Sequence, residues 1–397
     1  MLLIALKMLM GDRAKYLGLL LGITFTAFLV TFAASYFAGF MIRGFALITE
    51  NSSADVWVMD PAVDSDELTI NIPDGALQRV RSVAGVRTAV PLALGSVEAR
   101  FPNGRFQTFQ VIGVDDATLA GAPTLVSGES PAVLHGPDAV IVDSGGTHGK
   151  LETPSHVADQ WPHDGVHLQA PTRLLRAGDE LLANDIRLKV AGRSETVPRY
   201  PPRPLLYTTL ANAARILSRQ PHLLTFILAA REPGVPAQAL ARRIQQQTGL
   251  RARTTEQFKE DTVRWYLRNS EDVGDMATML VLAMTVGLGV AGVMLYMFTY
   301  ENLKQYAVLK AMGASRRVLL TMVFIQASVC ALLGTGLGIG LCTVIGDLVG
   351  TVGYPFRMMW FTPLAGILGV ATVSITAAAF SVRPLLKLEP GMVFAGR

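Results

Sequence analysis

Charge is scarce in this sequence: 17% of its 397 residues are Asp, Glu, Lys or Arg, while 50% are hydrophobic. Four windows contain no charged residue at all, residues 16–42, 276–300, 318–346 and 358–382. Each is longer than the roughly 20 apolar residues that cross a bilayer. An ordinary soluble protein is therefore excluded, and the sequence predicts a polytopic protein whose main surroundings are the lipid bilayer.

Cysteine is nearly absent as well. Its two occurrences, Cys330 and Cys342, both fall in the third uncharged window, so no disulfide bond within the chain can support the remaining residues. The long charged segment at residues 43–272 must then fold around a hydrophobic core of its own, for which it is large enough.

The basic residues near the ends of the spans predict the orientation. The short segment between the second and third windows has Lys304, Lys310, Arg316 and Arg317 against Glu301 alone. Because short cytoplasmic loops carry an excess of Lys and Arg, this segment and both termini are expected in the cytoplasm. The segment at residues 43–272 is then periplasmic, and the protein is expected in the inner membrane of a bacterium.

The predicted fold class is a membrane α-helical protein with four transmembrane helices and a large α/β domain inserted between helices 1 and 2. A cleaved signal peptide is the alternative for the first window, but its 27 residues exceed the 7–15 of a signal peptide's apolar region. The predicted order is a cytoplasmic amphipathic helix (1–15), transmembrane helix 1 (16–42), the periplasmic domain (43–272), transmembrane helix 2 (273–300), a cytoplasmic helix and turn (301–317), transmembrane helix 3 (318–346), a short periplasmic loop (347–357), transmembrane helix 4 (358–382) and a cytoplasmic tail (383–397).

Within the periplasmic domain, strand and helix patterns alternate at both ends around a less regular middle. Residues 86–99 and 105–114 resemble strands joined by a Pro-Asn-Gly turn, which predicts a hairpin. Two lobes are expected, one from residues 43–115 plus 220–255 and one from 116–219. Residues 193–204, rich in proline, are predicted to form an extended surface loop.

Two helix starts are predicted in this domain. Asp74 is expected to cap a helix that ends before Gly85, and Thr255 one that runs almost directly into the second span. A near-continuous helix that joins the domain to the membrane would act as a mechanical lever. An ordinary linker helix is the alternative, and the sequence does not separate the two.

Enzymatic motifs are missing from the sequence. There is no G-x-x-x-x-G-K-[ST] phosphate-binding loop, so no ATP site of that kind. Ser144 does not lie in a G-x-S-x-G elbow. His163 and His167 are four residues apart, but Pro162 and Gly165 oppose a helix there, which favours solvated loop histidines over a metal site. The expectation is a chain without catalytic residues, metal, cofactor or nucleic-acid partner.

The cytoplasmic segment carries the most informative pattern. Leu303, Tyr306, Ala307 and Lys310 recur on one helical face. Gly313 is placed to end that helix, and Ser315 to cap the next. Small residues in the spans, at Gly334-x-Gly336-x-Gly338-x-Gly340 and at Gly287-x-Gly289, suit close helix packing within the chain or at a dimer contact.

The wording of this segment, YAVLKAMGASRR, resembles the cytoplasmic signature of the MacB/FtsX-type ABC transporter permeases. The tail RPLLKLEPGMVF and the layout of one span, a large external domain and three spans are similar to that family too. The runs ADVWVMDP, VIGVDD and YAVLKAMG are most similar to DevC-type exporter permeases.

The resemblance implies a non-catalytic, homodimeric permease whose ATP and Mg²⁺ are bound by a separate cytoplasmic ABC ATPase. The residues at the matching coupling positions are Tyr306, Leu309, Lys310, Met312, Gly313, Ala314 and Ser315. It also implies mechanotransmission, in which ATP-driven movement is passed to the periplasmic domain, and export with a membrane-fusion adaptor and an outer-membrane channel. Two alternatives stay open: an FtsX-like regulator of a cell-wall hydrolase, and a lipoprotein-release permease of the LolC/LolE kind.

Overall fold

The computed structural model describes Met8 and residues 13–155, 171–217 and 224–382. The chain divides into two compact units. We call Met1–Phe40 with Ser270–Arg397 the membrane unit, and Met41–Asn269 the inserted domain. The predicted fold class is confirmed: four long apolar helices, with an α/β domain inserted between the first and the second.

The helices and strands follow one another in this order. They are α1 (Arg13–Gly44), α2 (Ala46–Glu50), β1 (Val56–Met59), α3 (Ala76–Arg81), β2 (Val86–Arg100), β3 (Phe106–Val114), a short 3-10 helix (Pro131–His135), β4 (Ala139–Asp143), β5 (Glu152–Pro154), β6 (Thr172–Leu174), β7 (Glu180–Ala183), β8 (Ile186–Ser194), β9 (Leu205–Thr209), α4 (Leu210–Ile216), β10 (Phe226–Arg231), α5 (Ala237–Thr248), β11 (Arg251–Thr254), α6 (Thr255–Asn269), α7 (Glu271–Glu301), α8 (Leu303–Ala311), α9 (Arg316–Thr351) and α10 (Phe361–Ser381).

Helices α1, α7, α9 and α10 are long and apolar enough to cross a membrane. They extend a little past most of the uncharged windows, because a helix continues into the headgroup region where charged residues are tolerated. The largest extension is in α9, which reaches Thr351 and includes Asp347. Some of the predictions concern residues outside the described ranges. These are most of the predicted helix at residues 1–15, the tail at 383–397, and the pair His163 and His167.

Nine strands of the inserted domain form one sheet, in the order β11-β1-β10-β2-β3-β9-β4-β8-β7. The predicted hairpin is present: β2 pairs with β3 from Leu92 opposite Val114 to Arg100 opposite Phe106. Gly104 takes a φ of +80° in its turn, a conformation that glycine adopts without strain. The sheet is mixed, since β3 pairs with β9 and β4 with β8 in parallel.

The two faces of the sheet carry separate cores because side chains alternate along each strand. In β1, Trp57 faces a core with α2 and α6, while Val56 and Val58 face a core with α3 and α5. A third core, around Phe101 and Val140, packs under α4. The two predicted lobes share the one sheet: Gln110 to Val114 of the first pair with Leu205 to Thr209 of the second.

The structure locates both predicted helix starts. Helix α3 begins at Ala76, two residues after Asp74, and Gly75 between them already has a helical backbone, with φ −64° and ψ −12°. For α6 the capping residue is Thr254 rather than Thr255: the Gln257 amide donates to Thr254 Oγ1, and the Thr254 amide donates to Gln257 Oε1. This reciprocal pair is a capping box.

The predicted near-continuous helix is interrupted at a single residue. Helix α6 ends at Asn269 and α7 begins at Glu271, because Ser270 has an extended backbone, with φ −93° and ψ 125°. The boundary between the two compact units falls at the same residue.

In the membrane unit, glycines allow close helix contacts on one side of α9. A Cβ on Gly334 would lie 2.7 Å from Ile23 Cγ2, and one on Gly338 would lie 2.5 Å from Ala27 Cβ. Gly336 and Gly340 have no atom within 4 Å of that position. Half of the glycine motif therefore packs against α1, and the other half points away from the described residues.

Candidate coupling element

Helix α8 joins the ends of α7 and α9, and its termination is built from backbone hydrogen bonds. Gly313 has a φ of +95°, its amide donates to the Lys310 carbonyl at 3.1 Å, and the Ala314 amide donates to the Leu309 carbonyl at 3.0 Å. These two bonds form a Schellman motif, with Leu309 and Ala314 as its apolar pair. The predicted glycine cap is confirmed.

The next helix starts as predicted. Ser315 has an extended backbone, and its Oγ accepts the amide of Val318 at 3.4 Å. Only Met312 to Ser315 separate α8 from α9, and both helix ends are satisfied within that stretch. A turn so short and so fully bonded holds α8 at a fixed angle to α9.

The inner face of α8 packs on α9. Tyr306 is fully buried and Ala307 is 2% exposed, and both belong to one hydrophobic cluster with Leu319, Met322 and Val323 of α9. The Tyr306 hydroxyl donates to Gln326 Oε1 at 3.1 Å, and Gln326 is itself buried. This bond joins the middle of α8 to a point almost three turns into α9.

The outer face of α8 is exposed and partly apolar. It consists of Lys304, Gln305, Val308, Ala311 and Met312, which recur at helical spacing. Val308 is 48% exposed and Met312 is 71% exposed. Two exposed apolar side chains, Val308 and Met312, beside the cationic Lys304 form a surface suited to a protein partner.

The structure separates the predicted coupling residues into three groups by exposure. Met312, Gly313 and Ser315 are exposed, Leu309, Lys310 and Ala314 are half-buried, and Tyr306 is buried. Tyr306 can therefore position α8 but cannot contact a partner in this conformation. Sequence reasoning missed Val308; the signal was its spacing of four from both Lys304 and Met312.

A second polar site lies in the inserted domain. The strap, residues 195–204, connects β8 to β9 and corresponds to the predicted surface loop. That prediction is wrong for its central residue, since Arg199 is only 4% exposed. Arg199 Nη2 donates to Glu50 Oε2 at 2.5 Å and to the Tyr207 hydroxyl at 3.1 Å.

Further bonds attach the strap at its start and its end. The Thr196 amide donates to Asp143 Oδ2 at 2.7 Å, and Arg203 forms an ion pair with Glu67. The Tyr266 hydroxyl donates to the Tyr200 carbonyl at 3.0 Å. Glu50 ends α2, soon after α1, and Tyr266 lies on α6, just before α7. The strap thus contacts both segments through which the inserted domain continues into the long apolar helices.

Burial sets the charges of this cluster. Desolvation raises the pKa of Glu50, and the guanidinium of Arg199 opposes that rise. Desolvation, and after it the charge of Glu67, raises the pKa of Asp66 to about 8. Asp66 is then protonated at neutral pH. Arg199 pairs with Glu50, and Arg203 pairs with Glu67.

Over the described ranges, no group of three or more His, Cys, Asp or Glu side chains is arranged to hold a metal ion. His135 instead contacts two backbone carbonyls, those of Ala132 and Asp116, at 3.1 and 3.0 Å.

Comparison with known proteins defines the class of the C-terminal region. Residues 277–390, which contain most of α7 and all of α8 to α10, match the family model of the FtsX-like permease C-terminal domain. This part of the chain, which includes α8, is similar to the FtsX-like permease C-terminal domain.

Curated relatives are distant. An uncharacterised ABC transporter permease of Mycobacterium tuberculosis (strain ATCC 25618 / H37Rv) is 26% identical over 128 residues, which cover 31% of this chain and 35% of that protein. The macrolide export ATP-binding/permease protein MacB of Rhodopirellula baltica is 31% identical over 122 residues, which cover 30% of this chain and 18% of that protein. The match thus spans about a third of the first relative's length and less of the second's.

Solved structures similar to the chain include the periplasmic region of MacB from Actinobacillus actinomycetemcomitans, with 10% identity and a TM-score of 0.36, covering 55% of this chain and 95% of that one. The extracellular domain of the noncanonic ABC-type transporter YknZ from Gram-positive bacteria has 13% identity and a TM-score of 0.32, covering 51% of this chain and 98% of that one. Both scores are low, and no conclusion about the inserted domain rests on them.

Proposed function

We propose that this chain is the non-catalytic permease subunit of a MacB/FtsX-type ABC transporter, driven by an ATPase on a separate chain. The observation that carries the proposal is the outer face of α8, an exposed and partly apolar surface on a short helix held between two membrane-length helices. Lys304, Lys310, Arg316 and Arg317 support a cytoplasmic position for it. The ATP and Mg²⁺ would be bound by the partner, whose movement α8 would receive.

The packing of α8 supports mechanotransmission. A push on Met312 or Val308 reaches α9 through the Schellman turn and through the Tyr306–Gln326 hydrogen bond. In the four long helices, residues charged at neutral pH lie only near the helix ends. That distribution offers no charged route through the bilayer and favours the transfer of motion over the conduction of a polar substrate.

We further propose that the protein works as a homodimer in a bacterial inner membrane, with both termini in the cytoplasm and the inserted domain in the periplasm. Export, with a membrane-fusion adaptor and an outer-membrane channel as in DevC-type systems, is the function we favour over a regulator of a cell-wall hydrolase or a lipoprotein-release permease. The size of the inserted domain, Met41–Asn269, favours export over the regulator.

The docking surface can be tested by exchanging its apolar residues for charged ones. The double variant Val308→Glu/Met312→Glu should abolish co-purification of the ATPase subunit, because both side chains are exposed and no buried contact is lost. Phe106→Glu, at a residue that is 58% exposed in the inserted domain, is the control and should keep the ATPase. Retention of the ATPase by the α8 variant would contradict the docking assignment.

The coupling turn needs a separate test. Gly313→Val places a branched side chain at a φ of +95°, which strains the turn without a steric clash, because no atom lies within 4 Å. We expect the ATPase subunit to bind but its activity to become independent of the permease in nanodiscs. Gly178→Val, with the same φ of +95° and the same open surroundings in the inserted domain, is the matched control. Equal behaviour of the two variants would contradict a coupling role for Gly313.

The class of periplasmic partner distinguishes the three functions. Purification from native membranes should recover an adaptor protein if export is correct. Recovery of a cell-wall hydrolase, or of a lipoprotein, in place of an adaptor would favour one of the alternatives.

A further inference from the structure

Helices α3 and α5 cover one face of the inserted domain's sheet. Ala76 and Val80 of α3, with Leu240 and Ile244 of α5, pack into the core on that face. With 12 residues, α5 is about 18 Å long. The outward sides of these two helices form a surface that we call the α3–α5 face.

The α3–α5 face is basic throughout. It carries Arg79 and Arg81 on α3 and Arg242 and Arg243 on α5, while neither helix contains an Asp or a Glu. Its remaining polar residues are mostly glutamines, Gln78 and residues 245–247 among them. Asp74 and Glu232 lie in the loops before the two helices.

The hydrogen bonds made by these arginines leave their charge uncompensated. Arg81 Nε donates to the Ala89 carbonyl at 2.9 Å, and Arg243 Nη1 donates to the Ala84 carbonyl at 2.5 Å. Within the described residues, the ion pairs include none of the four arginines. Elsewhere in the same domain arginines do pair with carboxylates, as Arg231 does with Asp55 and Arg251 with Asp261.

We propose that the α3–α5 face is a docking surface for an acidic segment of a soluble protein. Guanidinium groups recognise carboxylates through two parallel hydrogen bonds, so four arginines over two helices suit a run of Asp or Glu side chains. The glutamines can hydrogen-bond the main chain of the same segment. Four like charges at this spacing also repel one another, and an anionic partner would relieve that repulsion.

A protein fits this face better than an anionic bilayer does. Helix α2 follows the first membrane-length helix along the chain, and α6 precedes the second. Both helices pack on the opposite side of the sheet, around Trp57 and Phe258. The α3–α5 face is thus on the side of the sheet away from the segments that lead to the bilayer. The proposal does not depend on the coupling role of α8, because binding to this face requires no ATPase.

The test is a binding measurement with the full chain in nanodiscs of zwitterionic lipid, with a fluorescent Glu-rich peptide as the probe. Arg79→Glu/Arg242→Glu changes the two arginines that bond no carbonyl, so the fold should persist. We expect this variant to lower the affinity about tenfold at low salt, and added salt to weaken binding by the unchanged protein.

The matched control is Arg187→Glu/Arg268→Glu, which changes the net charge equally with exposed arginines of β8 and α6. The proposal is supported if this control variant binds the Glu-rich peptide with an affinity within about twofold of that of the unchanged protein. An equal loss in both variants would show attraction by net charge alone and would overturn it. Two further results would overturn the proposal. One is that the peptide does not bind the protein at all. The other is that the protein binds only anionic lipid vesicles and that the Arg79→Glu/Arg242→Glu variant loses this binding.

Discussion

The membrane unit and the inserted domain bury polar side chains in different ways. Every buried polar side chain described in the membrane unit is a hydroxyl or an amide, such as Gln326, and none is charged. The inserted domain buries Arg199, Asp66 and Asp143 to 5% exposure or less. Both units therefore use polar contacts inside, but among the described residues only the inserted domain buries acidic and basic side chains.

The difference follows from what surrounds each unit when it is not fully folded. A helix already in a bilayer has no water to solvate a charge, so buried groups that are neutral and bond locally carry little risk. Ser381 Oγ illustrates this, donating to the Leu295 carbonyl at 2.7 Å while lying 2.6 Å from Thr299 Oγ1. In water a charge can be buried if its partner arrives with it, as Glu50 does for Arg199. The contrast predicts large effects from changes of charge in one unit and of volume in the other.

The largest effect should come from Arg199→Ala. It would remove the counter-charge of Glu50, which would keep only the Val197 amide and the Tyr207 hydroxyl as donors. Breaking a buried ion pair by removing one partner typically costs about 3–5 kcal/mol. Thermal unfolding of the full chain in detergent should show a markedly lower Tm. Arg187→Ala is the control. The Arg187 side chain is 66% exposed, and its Nη1 lies 3.7 Å from Glu180 Oε2, so this variant should have nearly the Tm of the unchanged protein. A similar loss in both variants would contradict the idea that the inserted domain depends on its buried charges.

The next largest effect should come from added side-chain volume at a glycine of α9 in the membrane unit. Gly338→Val would place its Cβ 2.5 Å from Ala27 Cβ and 2.6 Å from the Thr24 carbonyl oxygen, and such overpacking costs about 1–3 kcal/mol. Gly336→Val adds the same atoms two residues away, where no atom lies within 4 Å. We expect a reduced Tm and reduced membrane yield for Gly338→Val alone. If Gly336→Val behaved the same, the close contact of α9 with α1 would not be the cause.

The sequence predicted the membrane unit better than the inserted domain. The four spans could be located because a missing charge is a local signal, and the ends of α8 could be located because Gly313 and Ser315 act within four residues of themselves. The capping box was missed by one position, since Thr254 and Thr255 are both acceptable caps and only the reach of Gln257 decides between them.

The strap could not be predicted in this way. Arg199 is buried by Glu50, which is 149 residues earlier in the chain, and by the attachment of Thr196 to Asp143, 53 residues earlier. A run such as RSETVPRYPPRP has the composition of a solvated loop, and nothing local marks one arginine as buried. The continuous sheet was missed for the same reason, because the parallel pairing of β3 with β9 joins strands about 90 residues apart.

The stability of the inserted domain should depend on pH through Asp66, which lies near Glu67, Arg199 and Arg203. The pKa of Asp66 is about 8 in the folded protein against 3.8 in the unfolded chain, so the folded state binds the extra proton between those values. The resulting stabilisation is complete below about pH 4 and is lost as pH rises through 8, by up to about 1.4 kcal/mol per pH unit. Asp66→Asn resembles the protonated form beside Glu67, Arg199 and Arg203. Its Tm should therefore fall less than that of the unchanged protein between pH 6 and 8.5, and parallel profiles would contradict a neutral Asp66.

The smallest expected effect compares one tyrosine hydroxyl in each unit. Tyr306→Phe removes a neutral hydrogen bond to Gln326, worth about 0.5–1.5 kcal/mol, while Tyr207→Phe removes bonds with Glu50 and Arg199, worth about 1.5–3 kcal/mol because those partners are charged. Each substitution keeps the ring and so keeps the packing, and the two Tm changes can be compared directly. We expect Tyr207→Phe to lower the Tm more, and Tyr306→Phe to retain the ATPase, because Tyr306 is buried and acts only by holding α8 against α9. Loss of the ATPase in Tyr306→Phe with an unchanged Tm would show that this hydroxyl is used in docking and becomes exposed in another conformation.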